Sequence, residues 1–294
     1  MNGLTNYITE QPWEDTITIW YVLVEEAYQR LIAKRGGALR TSGPEPDFSD
    51  SEVITVALII ETFFQGHEEV GYAFVRQYLR ALFPKLLDLD RFNQRRRELI
   101  AVIEALRCDL RDQKLDRTDP VRFVDSAPIS LMTYSRGARS VSVVGHEYFG
   151  VVTSKKGKVF GLRVHATVTT QQLIDDWLLA PAAWGDARVL GALVEQRSDL
   201  VLVGDKGYTD ADLEDYLWRT RRIQLLPLRR DNQKTQWPED IRRILGQIRH
   251  GVETVFSVAS TVFNLERPHG RSLAGHVVRV ATIILAHTLS FFMP

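Results

Sequence analysis

Two short runs, each closed by an aspartate, constrain this chain more than any other feature. Val121-Arg-Phe-Val leads into Asp125, and Val201-Leu-Val-Gly leads into Asp205. The first is short and β-prone. The second is continuously apolar, the pattern of a strand buried on both faces. In sheets covered by helices, ligands gather at the carboxyl ends of the strands. An acid at each of two strand ends therefore sets two carboxylates at the rim of one sheet.

The surrounding pattern supports such a layered domain. His146–Thr153 and Val159–Thr169 read as strands, with Lys155-Lys156-Gly157-Lys158 as the turn between them. Gln171–Leu179, Ala187–Gln196 and Thr209–Arg221 read as helices, and Ile223–Leu228 as a further strand. Pro238 opens a helix that runs to about Phe263, and Arg271–Met293 closes the chain as an apolar helix. The first 115 or so residues read as helical instead, over Trp13–Ile32, Tyr72–Leu82 and about Asp90–Leu110. Ser49-x-x-Glu52 resembles a capping box opening one more helix, through Phe64. The expected organisation is an all-α amino-terminal domain over 1–118, for DNA binding or dimerisation. A mixed α/β domain with helices flanking a central sheet occupies 119–294, the last helix included.

Composition removes several function classes. Cys108 is the single cysteine, which excludes an intrachain disulfide and argues against a cysteine-based zinc site. No HExxH sequence occurs, and no Walker or Rossmann glycine loop. The start lacks the build of a secretory signal. Val280–Met293 is too short to span a bilayer and carries His287, so it reads as a core helix. The expectation is a cytoplasmic protein with no membrane partner. The 37 basic residues balance 37 acidic ones, so any nucleic-acid contact must use local basic surfaces. One such region is 215–250, with nine basic and four acidic residues.

A third acid joins the two strand-end aspartates. Glu253 borders the apolar stripe of the helix after Pro238, and Arg249 lies one turn before it on the same side. Magnesium takes hard oxygen ligands, keeps some waters and binds through a few carboxylates plus substrate phosphate. Two such ions about 3.5–4 Å apart hold the attacking and leaving oxygens of an in-line displacement. Taken singly, an aspartate after a strand is a common turn residue, and Arg249 with Glu253 is an ordinary exposed helix pair. The chemical argument rests on the three acids jointly.

The combination resembles the bacterial insertion-sequence transposases of the DDE class, whose catalytic domain is ribonuclease-H-like. The matching pieces are Phe-Val-Asp125-Ser, Gly204-Asp205-Lys206-Gly207-Tyr208 and Ile248-Arg249-His-Gly-Val-Glu253-Thr-Val-Phe256-Ser. Asp205 lies 80 residues after Asp125, and Glu253 lies 48 after Asp205, leaving no room for a large inserted domain. Asn93-Gln94-Arg95-Arg96-Arg97 is similar to a basic helix in the amino-terminal domain of related transposases. The chain departs from many relatives at Gly246, where they carry Tyr, and at Ser260, where they carry Lys or Arg; Arg267 or Arg271 could take over a phosphate contact.

The resemblance implies catalysis and metal binding by Asp125, Asp205 and Glu253, with two Mg2+ ions for which Mn2+ substitutes. It implies cleavage at the terminal inverted repeats of an element, joining of the freed ends to target DNA, and a homodimer on paired ends in the nucleoid. With the local charge pattern it makes Arg95, Arg96, Arg97, Lys206, Arg221, Arg222, Arg242, Arg249 and Arg271 candidate DNA contacts. Two rival readings remain: a structure-specific nuclease of the same fold, and a domesticated DNA-binding protein without chemistry.

Overall fold

The computed structural model describes residues 13–39, 46–152, 157–229 and 236–293; within them the side chains of 241, 244, 245 and 247–253 lie outside the description. In chain order the helices and strands are α1 (Trp13–Arg35), α2 (Asp50–Phe64), α3 (Glu68–Tyr78), α4 (Leu89–Glu98), α5 (Ile100–Lys114), β1 (Val121–Met132), β2 (Phe149–Val152), β3 (Gly157–Thr169), β4 (Ile174–Pro181), α6 (Asp186–Leu193), β5 (Val201–Gly204), α7 (Ala211–Arg221), β6 (Gln224–Pro227), α8 (Glu239–Phe263) and α9 (Leu273–Leu289). They form two compact units. One is drawn from Met1–Lys114 with Val262–Pro294, the other from Leu115–Thr261.

The helical unit is organised around α2. The expected capping box is present: the Ser49 side chain accepts from the Glu52 N–H, and the Glu52 carboxylate accepts from the Ser49 N–H at 2.7 Å. Behind this cap, Val53 through Ile60 are all buried. A helix apolar on every side needs neighbours on every side, and α1, α3 and α9 pack against it. The closing helix α9, read from sequence as part of the second domain, belongs here, against α2 and α5. It is long and apolar enough to cross a membrane by composition alone, but 72% of that stretch is buried within the fold. The single helix expected over 90–110 is two, with Leu99 ending the first. The predicted Tyr72–Leu82 helix starts and stops four residues earlier.

The second unit is a mixed sheet flanked by helices, in the order β2-β3-β1-β5-β6, with β4 also paired to β3. β1 runs antiparallel to β3 and parallel to β5, and β5 runs parallel to β6. Leu190 and Leu193 of α6 and Leu217 of α7 pack on Val124 and Leu202, covering one face. This is the ribonuclease-H-like fold expected from the sequence.

Two elements differ from the sequence reading. β1 does not end at Asp125 but continues to Met132 through Pro128. The β5 partnership stops at Val124, so beyond it β1 has β3 on one side only. Proline, which cannot donate to a ladder, is tolerated on such an unpaired side. Residues 171–179, read as helical, instead supply β4. The Asp175 and Asp176 carboxylates find their partners across the sheet: Asp175 accepts from Arg122 and from Arg197, each at 2.6 Å, and Asp176 also accepts from Arg197.

Candidate active site

The parallel ladder of β1 and β5 sets the geometry of the site. Its last registered pair is Val124 with Gly204, so Asp125 and Asp205 are the next residues on adjacent strands. Neighbouring strands lie about 4.8 Å apart, which brings the two backbones within reach of shared ligands. Both aspartates are half-buried. Asp125 Oδ1 accepts from the Ser126 N–H at 2.8 Å. Asp205 caps the 3-10 turn Lys206–Tyr208 by accepting from the Gly207 N–H at 2.7 Å.

Glycine at 204 and at 207 is explained by close approach. A Cβ on Gly204 would lie 2.9 Å from the Tyr208 ring and 3.1 Å from Val124. One on Gly207 would lie 2.6 Å from Asp186 Oδ2 and 2.9 Å from Asp205 Oδ1. The turn therefore folds its own tyrosine back under the strand ends, where Tyr208 is 1% exposed.

Asp186 is a third acid at this site, which the sequence reading missed. It is the first residue of α6, and its Oδ1 accepts from the Ser126 hydroxyl at 2.8 Å and lies 3.4 Å from Arg163 Nη1. His165 Nδ1 stands 3.7 Å from the same oxygen. Ser126 and His165 are register partners across β1 and β3, and Arg163 lies two residues back on the same face. At sequence level Asp186 is indistinguishable from any acid in the first turn of a helix, a position favoured by the helix dipole.

The electrostatics are those of a partly buried anionic site. Burial pushes the Tyr208 phenol well above its usual range, and the charges of Asp186, Asp125 and Asp205 push it the same way. Burial pushes the His165 imidazole down to about 4; Arg163 adds to that and Asp186 opposes it. His165 is therefore neutral at pH 7. Neither of its ring nitrogens, nor the Tyr208 hydroxyl, has a hydrogen-bond partner among the described residues.

Clustered carboxylates under a negative field suit a divalent cation, and oxygen donors of this kind are what Mg2+ and Mn2+ take. Among the described residues no three Asp, Glu, His or Cys side chains close on a single point. Glu253, the third predicted ligand, lies in α8 one turn after Arg249, but both side chains fall outside the described residues.

The candidate DNA contacts separate into distinct groups. Lys206 is exposed in the turn directly after Asp205, and Arg242 is exposed on α8. Arg222 pairs with Asp199 at 3.0 Å, and the Arg221 guanidinium donates to the Glu195 carbonyl. Arg95 and Arg96 turn inward. Arg95 pairs with Asp50, while Arg96, 2% exposed, pairs with Glu61 beside Arg279. A buried guanidinium held by a buried carboxylate is a packing group, so the expected DNA contact is withdrawn for Arg96. Arg97 is the exposed member of that trio. Arg97 and the 94%-exposed Arg271, far apart in sequence, line one cavity of about 740 Å³ in the helical unit.

The family described as Transposase DDE domain matches residues 116–289, from just before β1 to the end of α9. The matched span contains Asp125, Asp186, Asp205 and Glu253. No curated protein matches the chain.

Proposed function

Because the chain belongs to the Transposase DDE domain family, we propose that it cuts the ends of a mobile element and joins them to target DNA, using Asp125, Asp205 and Glu253. Family membership establishes a transposase acting on DNA, in a family that uses divalent metal ions. The particular acids, the preference for Mg2+ over other ions, the two chemical steps and a homodimer on paired ends are the proposal. The observation that carries it is the ladder ending at Val124 and Gly204, which delivers two aspartates from sequence-distant strands to one rim.

In this scheme Asp125, Asp205 and, from α8, Glu253 would hold the Mg2+ ions. When bound, the ions neutralise charge on the scissile phosphate and orient the attacking and leaving oxygens. The protein's task is then positioning. Lys206, exposed in the turn directly after Asp205, presents a cation to an approaching phosphate. Water attacks the phosphodiester at an element end, and its P–O bond to the 3′ oxygen breaks, releasing a 3′-hydroxyl. That hydroxyl attacks a target phosphodiester in a second displacement, forming the joined strand and releasing a target 3′-hydroxyl. Each step exchanges one phosphodiester oxygen for another, and no covalent enzyme intermediate is required. Such a protein works on the nucleoid, in the cytoplasm.

The test is strand transfer with precut element ends, Mg2+ and target plasmid. Joined product that disappears in Asp125→Ala and Asp205→Ala supports the proposal. Cleavage of uncut ends by the wild type without any joined product assigns a nuclease instead.

A further inference from the structure

Asp186 lies between the segments that carry Asp125 and Asp205. Asp125 Oδ1 accepts from the Ser126 N–H at 2.8 Å, and the Ser126 hydroxyl donates to Asp186 Oδ1 at 2.8 Å. The other oxygen of Asp186 lies against Gly207, whose N–H donates to Asp205 Oδ1 at 2.7 Å. One carboxylate thus touches the segment carrying Asp125 and the turn carrying Asp205. It is itself held as the first residue of α6 and by Arg163 at 3.4 Å, with the 1%-exposed His165 ring nearby at 3.7 Å.

We infer that Asp186 is a positioning residue of this centre, setting the separation at which Asp125 and Asp205 present their oxygens to divalent cations. The inference rests on the reading of those two aspartates as cation ligands. The physical reason is geometric. A cation pair tolerates little error in ligand spacing, and the groups that orient metal ligands matter nearly as much as the ligands. Past Val124 and Gly204, β1 stays registered with β3, but no ladder ties it to the segment that follows β5, so the β1–β5 pairing does not itself set the spacing of Asp125 and Asp205. Asp186 reaches both segments past the ladder, through its hydrogen bond to Ser126 and its packing beside Gly207. Ser126 and Gly207 are its points of contact, which accounts for a small hydroxyl residue at one and the lack of any side chain at the other.

The experiment is Mn2+ binding to the DNA-free full-length protein, monitored by electron paramagnetic resonance, for wild type, Asp186→Asn, Ser126→Ala and Asp205→Asn. Asp186→Asn and Ser126→Ala are expected to weaken Mn2+ binding about 10-fold or more, the range seen when a group orienting a metal ligand is removed. In strand transfer the Mg2+ concentration for half-maximal rate should rise in parallel, with the KM for DNA unchanged. Ser126→Ala removes the same link from the other end, so misfolding of an Asp186 variant does not hide the answer. Wild-type Mn2+ affinity in both variants, with binding lost in Asp205→Asn, overturns the inference alone. Wild-type affinity in Asp205→Asn overturns the cation reading and the inference with it.

Discussion

Val124 and Gly204 are the last registered pair of the β1–β5 ladder, and the residue after each is an aspartate. That register converts a separation of 80 residues in sequence into adjacency on one sheet rim. It also explains why two carboxylates accept the cost of half-burial together: each binds a backbone N–H within its own segment.

Replacing either aspartate by asparagine should abolish chemistry and leave the fold intact. Removing a group that merely orients a metal ligand costs about 10–100-fold, so loss of a ligand should cost at least about 100-fold. Single-turnover cleavage of a labelled element end, with thermal melting as a control, measures both. Wild-type rates in Asp125→Asn would show that this acid is not used.

Gly207→Ala is expected to impair catalysis more than stability. The new methyl would meet Asp186 and Asp205 oxygens at 2.6 and 2.9 Å, and both carboxylates must shift. A displacement near 1 Å at a reacting centre costs on the order of 100-fold in rate. The check is kcat against melting temperature. A variant that is fully active would show that this close approach is not needed.

How much of this is legible in the sequence depends on what holds each element. Asp125 and Asp205 are readable because local runs of strand-forming residues end on them. The capping box at Ser49 is readable because its two bonds are local. β4 reads locally as a helix because its acids Asp175 and Asp176 are satisfied by Arg122 and Arg197, contacts that no local pattern contains. The extension of β1 past Asp125 is hidden because it depends on β3 alone, and the placing of α9 because an apolar helix does not name its partner. Asp186 is hidden for the same reason: its role lies in which residues surround it.

Arg96 and Arg97 are neighbours with opposite expected phenotypes. Arg96→Ala takes from the buried Glu61 carboxylate its nearer cation, leaving Arg279 at 3.6 Å, and should lower stability by up to about 3 kcal/mol. Arg97→Ala should leave stability unchanged, weaken DNA binding and reduce the salt slope of affinity by about 1. Chemical denaturation and affinity at several salt concentrations separate the two. A salt slope unchanged by Arg97→Ala would remove this residue from the DNA interface.

Acid should destabilise the fold through its buried imidazoles. Burial pushes His165, His276 and His287 each down to about 4 from an ordinary value of 6.5. Below 6.5 the unfolded chain takes up protons that the folded chain refuses. Stability therefore falls as pH drops from 6.5 towards 4, by up to about 1.4 kcal/mol per pH unit for each imidazole. Melting temperatures across that window measure the slope, which His287→Gln should reduce. A flat profile between 6.5 and 4 would mean that these imidazoles protonate without unfolding.

The most direct measurement is a change of metal preference in Asp205→Cys. A thiolate is a poor ligand for Mg2+ and a better one for Mn2+. Strand transfer by this variant should be lost with Mg2+ and recovered, at least in part, with Mn2+, while the wild type works with either. Asp205→Cys that joins ends as fast as wild type in Mg2+ would contradict a metal-binding role for Asp205 and, with it, the catalytic centre described here.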